Sequence, residues 1–179
     1  MWPVTSSTVV YENPWIRVQE DQVVRPDGSP GVYGVMSVRH DAVMVVAMTD
    51  DREVWLVTVD RHTVGVSVEV PAGGSDGEDP LLAAQRELAE ETGLRASEWR
   101  LLGRMDALNG VCRAPEHIFL ATGLSPVADG LLEQDAEGIT AAQPVPWPEV
   151  MRMVRAGRIT DAESIAALCY VALELGLLG

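Results

Sequence analysis

The segment PAGGSDGEDPLLAAQRELAEETGL, residues 71–94, constrains this chain more than any other stretch. Asp79 suits a helix N-cap, Pro80 the first helical position and Gly93 the C-terminal cap, so the spacing predicts a helix from about Pro80 to Thr92. On that helix Leu81, Ala84, Leu88 and Thr92 share one face, which should pack on a sheet. Glu87 and Glu91 lie one turn apart along the edge of this stripe, and Glu90 lies further round, four residues after Arg86. Stability alone would not select such a pattern. A helix C-terminus carries partial negative charge and favours Lys or Arg. Like charges four residues apart cost roughly 0.2–0.5 kcal/mol, and the dipole adds roughly 0.3–1 kcal/mol per residue. A bound divalent cation reverses both effects, and local rules broken together mark a site. The plain alternative is a solvated acidic helix face.

The flanking sequence is rich in strands before this helix. TVVYE at 8–12, WIRVQEDQVV at 15–24 and VYGVMSV at 32–38 are separated by Asn13-Pro14 and by Pro26-Asp27-Gly28, and the latter predicts a hairpin turn. AVMVVAM and EVWLVTV, split by residues 49–52, read as a second hairpin, and VSVEV runs into Pro71. Strands are expected near 99–105, 115–121 and 139–146. Two closing helices are expected, one from Pro148 to about Ala156 and one from about Asp161 to Leu175, with Thr160 and Glu163 as its capping box. No repeat, low-complexity tract or linker interrupts the chain, so one α+β domain over 1–179 is the expectation.

The formal charge is −14, from 27 Asp and Glu against 13 Lys and Arg. Such a surface repels nucleic-acid backbones and anionic lipid, so neither is an expected partner. A phosphorylated small molecule remains compatible where divalent cations sit between carboxylates and phosphates. Cys112 and Cys169 have neither metal-ligand spacing nor redox spacing, and both are expected as buried free thiols of a reducing, cytoplasmic compartment. The N-terminus has no signal-peptide pattern, and the longest dense apolar run, 42–48, is too short to span a membrane. His40, His62 and His117 show no ligand spacing and read as structural.

The acidic helix matches the Nudix box, G-x5-E-x7-R-E-U-x-E-E-x-G-U with U a bulky aliphatic. Glu78, Arg86, Glu87, Leu88, Glu90, Glu91, Gly93 and Leu94 fall in register. With each residue type used at roughly 5–10%, the six fixed identities would coincide in on the order of one window in ten million. The one departure is the leading glycine. Gly73 gives a loop one residue short, and Ala72 stands at the strict position. The chain therefore resembles the Nudix hydrolase superfamily, and within it the ADP-ribose pyrophosphatase group, through residues 10–15, 61–65, 69–73 and 157–162.

The resemblance implies a Nudix fold, a mixed β-sheet sandwiched between α-helices, and Mg²⁺-dependent (or Mn²⁺-dependent) hydrolysis of a diphosphate linkage. By similarity, Glu87, Glu91 and the Ala72 carbonyl bind metal, Glu90 helps or is held by Arg86, and Glu78 is an auxiliary acid near Gly73. Among the acids after the box, Glu137 is the candidate additional ligand and Asp135 or Glu133 the candidate base; an acidic surface loop is the alternative. Trp15 stacks on adenine or packs in the core, and Arg61 binds phosphate or is a surface arginine. The final helix is core or part of a dimer contact. By analogy the N-terminal β-rich segment, about 1–40, contributes to a homodimer. The leading substrate is ADP-ribose, cleaved to AMP and ribose 5-phosphate. Oxidised nucleoside triphosphates, dinucleotides and CoA derivatives remain open, as does a non-catalytic ligand-binding module.

Overall fold

The run AVMVVAM at 42–48 is apolar at every position, the pattern of a strand covered on both faces. The computed structural model, which describes residues 1–127, 134 and 138–177, places it between two layers of helix. In chain order the elements are β1 (Val4–Glu12), β2 (Ile16–Val24), β3 (Pro30–Val38), β4 (Ala42–Ala47), β5 (Glu53–Arg61), β6 (Gly65–Glu69) and β7 (Ala72–Gly74). Then follow α1 (Pro80–Thr92), β8 (Leu94–Asp106), β9 (Cys112–Arg113), β10 (Pro115–Pro126), β11 (Ile139–Pro146), α2 (Trp147–Arg155) and α3 (Ala162–Glu174). The central sheet has the order β7-β4-β10-β8, with β4 and β10 parallel and the outer pairs antiparallel. A second sheet runs β11-β5-β6, and an N-terminal one runs β1-β2-β3-β9.

Alternation along β4 and β10 supplies two cores. Val43, Val45, Ala47 and Phe119 meet Ala83, Ala84 and Leu88 of α1. Met44, Val46, Ile118 and Leu120 meet Val150 of α2 and Ala167, Leu168 and Val171 of α3. Each fully buried Val or Leu contributes about 1.5–3 kcal/mol relative to exposure, so burial on both faces fixes the helices against the sheet. This is the mixed-sheet sandwich that the family resemblance implied. α1 has the predicted limits: the Asp79 side chain accepts from the Leu81 N–H at 2.9 Å, and Gly93 adopts φ 70° at the C-cap. The β2–β3 hairpin turns through Gly28 at φ 83°.

Three local expectations are corrected. β4 and β5 do not form a hairpin within one sheet. β4 takes β10 and β7 as partners, β5 takes β6 and β11, and only a Met48–Val54 bridge joins the two runs. α3 is capped by Asp161, whose carboxylate accepts from the Ser164 N–H at 2.7 Å, so the cap stands one residue after Thr160. Cys112 is buried, in β9, as expected, whereas Cys169 is exposed. Among the described residues, no helix is long and apolar enough to cross a membrane.

Candidate functional site

α1 buries Ala83, Ala84, Glu87, Leu88 and Glu91, so two of its acids lie within the packed face rather than at its edge. Glu87 is 4% exposed and Glu91 3%. Buried carboxylates are costly unless hydrogen-bonded and paired. Glu91 Oε2 accepts from the Ala72 N–H at 3.0 Å, and Glu87 Oε1 accepts from Arg86 Nη1 at 2.9 Å. Gly73 explains how Glu87 fits: a Cβ at position 73 would overlap its carboxylate. The glycine of the short loop is thus required by close approach rather than by an unusual φ. Ala72 pairs with Met44 across β7 and β4.

Arg86 ties the loop to the helix. Its Nη1 also donates to Glu90 Oε2 at 2.9 Å, its Nη2 to the Gly74 carbonyl at 2.9 Å and its Nε to Glu78 Oε2 at 3.5 Å. Burial works against the Arg86 charge, but Glu87 and Glu90 outweigh it and the pKa is raised. One guanidinium therefore touches three box acids and the strand that enters the box.

A second group of acids gathers around Arg61, and the sequence reading missed most of it. Arg61 Nε and Nη2 donate to Glu69 Oε1 and Oε2 at 3.2 and 2.6 Å, a two-point fork. The Glu69 hydrogen bond raises the Arg61 pKa against the opposing effect of burial, and Glu91 and Asp161 add to it. Burial, with Glu163 and Asp161 nearby, pushes Glu116 up to about 7, and its Oε2 is buried without a hydrogen-bond partner. Burial and the hydrogen bond with Asp161 likewise push Glu163 up to about 7. The available signal was alternation: Glu69 follows Ser67 on the inward side of β6, and Glu116 shares its face of β10 with Ile118 and Leu120.

The remaining candidates are dispersed. Trp15 is 73% exposed, which removes the core alternative; its backbone N–H donates to Asn13 Oδ1 at 2.9 Å in the turn before β2. Glu133, Asp135 and Glu137 lie outside the described residues. Between them Gln134 is described, and its Nε2 donates to the Glu91 carbonyl at 2.5 Å. His117 pairs with Asp41 at 2.9 Å.

Known proteins resemble this chain in sequence and in fold. Residues 38–168 match the model of the NUDIX domain, and residues 2–36 that of the nucleoside diphosphate sugar hydrolase N-terminal domain. An ADP-ribose pyrophosphatase of Mycobacterium tuberculosis is 35% identical over 93% of this chain and 81% of its own length. A methanol dehydrogenase activator of Bacillus methanolicus is 30% identical over 90% of this chain and 88% of its own. The crystal structure of an ADP compounds hydrolase superposes with a TM-score of 0.84 at 23% identity, covering 99% of this chain and 96% of that one, a likeness of fold. The box acids, the fold that carries them and these matches together mean that the chain belongs to the Nudix family of pyrophosphohydrolases.

Proposed function

We propose that this protein hydrolyses the diphosphate linkage of a nucleoside diphosphate derivative, with ADP-ribose, cleaved to AMP and ribose 5-phosphate, as the leading substrate. The observation that carries the reading is the pair of buried carboxylates, Glu87 and Glu91, one turn apart on α1 beside Gly73 and Ala72. Similarity to the mycobacterial ADP-ribose pyrophosphatase over nearly the whole chain supports the substrate.

The donor set suits a hard divalent cation, Mg²⁺ or Mn²⁺: anionic oxygens, buried, one turn apart. Glu87, Glu91 and the Ala72 carbonyl would hold it, with Glu90 kept in place by Arg86 and Glu78 as auxiliary acid. Glu137, among the acids after the box, is the candidate additional ligand. When bound, such an ion offsets the diphosphate charge and lowers the pKa of bound water. Asp135 or Glu133 then accepts the proton of the attacking water. Arg61 takes a phosphate oxygen, and the exposed indole of Trp15 stacks on the base. β1 is exposed along its whole length, which fits the N-terminal segment, about 1–40, working as part of one 1–179 unit that pairs in a homodimer. A cytoplasmic enzyme acting on a soluble nucleotide completes the proposal.

The test is a panel of nucleoside diphosphate derivatives, triphosphates and CoA compounds assayed with Mg²⁺. AMP release from ADP-ribose in preference to the others is the expected result; turnover of triphosphates alone rejects it. Glu91→Gln should lower kcat at least about 100-fold, more than loss of an outer-sphere partner costs, with little loss of fold. Full activity in that variant would mean the ligand assignment is wrong.

A further inference from the structure

Arg61 is built as a half-exposed hand on a buried wrist. Its side chain is 45% exposed, whereas that of Glu69, its partner, is 8% exposed. The fork uses Nε and Nη2, so the guanidinium plane is fixed and the Nη1 edge is the one not bonded to Glu69. The Glu91 charge also acts on Arg61, so the guanidinium lies near that acid of the box. Glu69 ends β6, Val70 donates its N–H to Ser164 Oγ at 3.0 Å, and the Ala72 N–H meets Glu91 Oε2 at 3.0 Å. Three residues span about 10 Å at most, so Glu69 and the Glu91 carboxylate are held in one neighbourhood by a short strand pinned at both points. Ser164 is fully buried, and Asp161 caps the same helix end, so the anchor is rigid.

A lone arginine beside an acid of the box would swing onto that acid and be lost to a substrate. An arginine already forked to another carboxylate is aimed and partly neutralised, and keeps one edge for an incoming oxyanion. We propose that Glu69 is a positioning residue, whose buried carboxylate holds the Arg61 guanidinium so that its Nη1 edge meets a diphosphate oxygen beside Glu91. This rests on the proposed function and deepens it: the protein selects substrates whose diphosphate reaches Arg61 and the box acids together.

The experiment is calorimetric binding of the non-hydrolysable methylene-bridged analogue of ADP-ribose, with Mn²⁺ binding and kcat and KM measured beside it. Glu69→Gln keeps one acceptor and loses the fork. It should weaken analogue binding and raise KM about tenfold, the scale of one charge-assisted hydrogen bond, while Mn²⁺ binding and kcat stay near wild type. Arg61→Ala should weaken binding at least as much, and the double variant no further, because Glu69 acts through Arg61. Arg61→Lys leaves Glu69 native yet cannot fork, so it should also bind about tenfold more weakly, and it serves if Glu69→Gln does not fold.

The failures are distinguishable. Wild-type affinity in Glu69→Gln or Arg61→Lys, with weak binding in Arg61→Ala, overturns the positioning role and leaves the enzyme reading intact. Wild-type affinity in Arg61→Ala removes Arg61 from the substrate and the inference with it. No binding by the wild-type protein rejects the proposed substrate class and the inference together.

Discussion

The molecule holds two acidic groups, each built around one arginine, and they are balanced in different ways. At the C-terminal half of α1, Arg86 bonds Glu78, Glu87, Glu90 and the Gly74 carbonyl, and the Ala72 N–H takes Glu91. At the N-terminus of α3, Arg61 is committed to Glu69, while Glu116 and Glu163 are pushed up toward neutrality. The first group surrounds its acids with fixed donors, near the negative end of the helix dipole. The second lies at a favourable helix end, yet part of its charge is offset by protons. The difference separates carboxylates held by fixed donors from carboxylates that burial and neighbouring acids push toward the neutral form.

The sharpest way to break this contrast is Gly73→Ala. A Cβ there overlaps the Glu87 carboxylate, which is the far end of a flexible side chain, so Glu87 moves rather than the backbone. The expected outcome is a fall in kcat of about 100-fold with weakened Mn²⁺ binding, the scale seen when a metal ligand loses its orientation. Tm should drop by only a few degrees, consistent with about 1 kcal/mol or less. A large loss of stability with normal specific activity in the folded fraction would show that the close contact serves packing instead.

Arg86→Lys sharpens the same point at smaller amplitude. Lysine keeps the charge but cannot reach Glu78, Glu87, Glu90 and the Gly74 carbonyl at once. A kcat lower by about tenfold is expected, with Glu90 released. If the charge alone mattered, the lysine variant would match wild type in a steady-state assay.

What the sequence disclosed follows the same division. The α1 group was legible because Arg86, Glu87, Glu90 and Glu91 sit within one helix, where fixed spacing becomes fixed geometry, and because Asp79 and Gly93 mark the helix ends. The α1 caps and the β2–β3 hairpin were legible for the same local reasons. The Arg61 group was not, because Arg61, Glu69, Glu116 and Glu163 come from β5, β6, β10 and α3, and only the tertiary fold brings them together. The β4–β5 hairpin failed because apolar strands joined by a turn look alike whether they share a sheet or split between two. Thr160 lost the α3 cap to Asp161, a neighbour of equal or better capping chemistry.

The smallest expected effect tests the second group. Facing Glu163 are Asp161 on its own helix end, Glu69 from β6, and Glu116 from β10, with Arg61 from β5 beside Asp161 and Glu69. Glu163 and Glu116 rise from 4.5 to about 7 on folding, so between those values the folded state binds more protons than the unfolded one. Their stabilising contribution is therefore complete below about pH 4.5 and is lost as pH rises through 7. In chelator-treated protein, Tm should therefore decline between pH 5 and 8 by a few degrees, roughly 1 kcal/mol for a chain of this size. Glu163→Gln carries no proton to lose, so its decline should be shallower and its Tm at pH 8 higher than wild type. Glu116 remains in that variant, so part of the slope persists. Parallel pH profiles for the two proteins in scanning calorimetry would mean that this group, like the one on α1, is balanced by fixed charge, and the contrast between them would disappear.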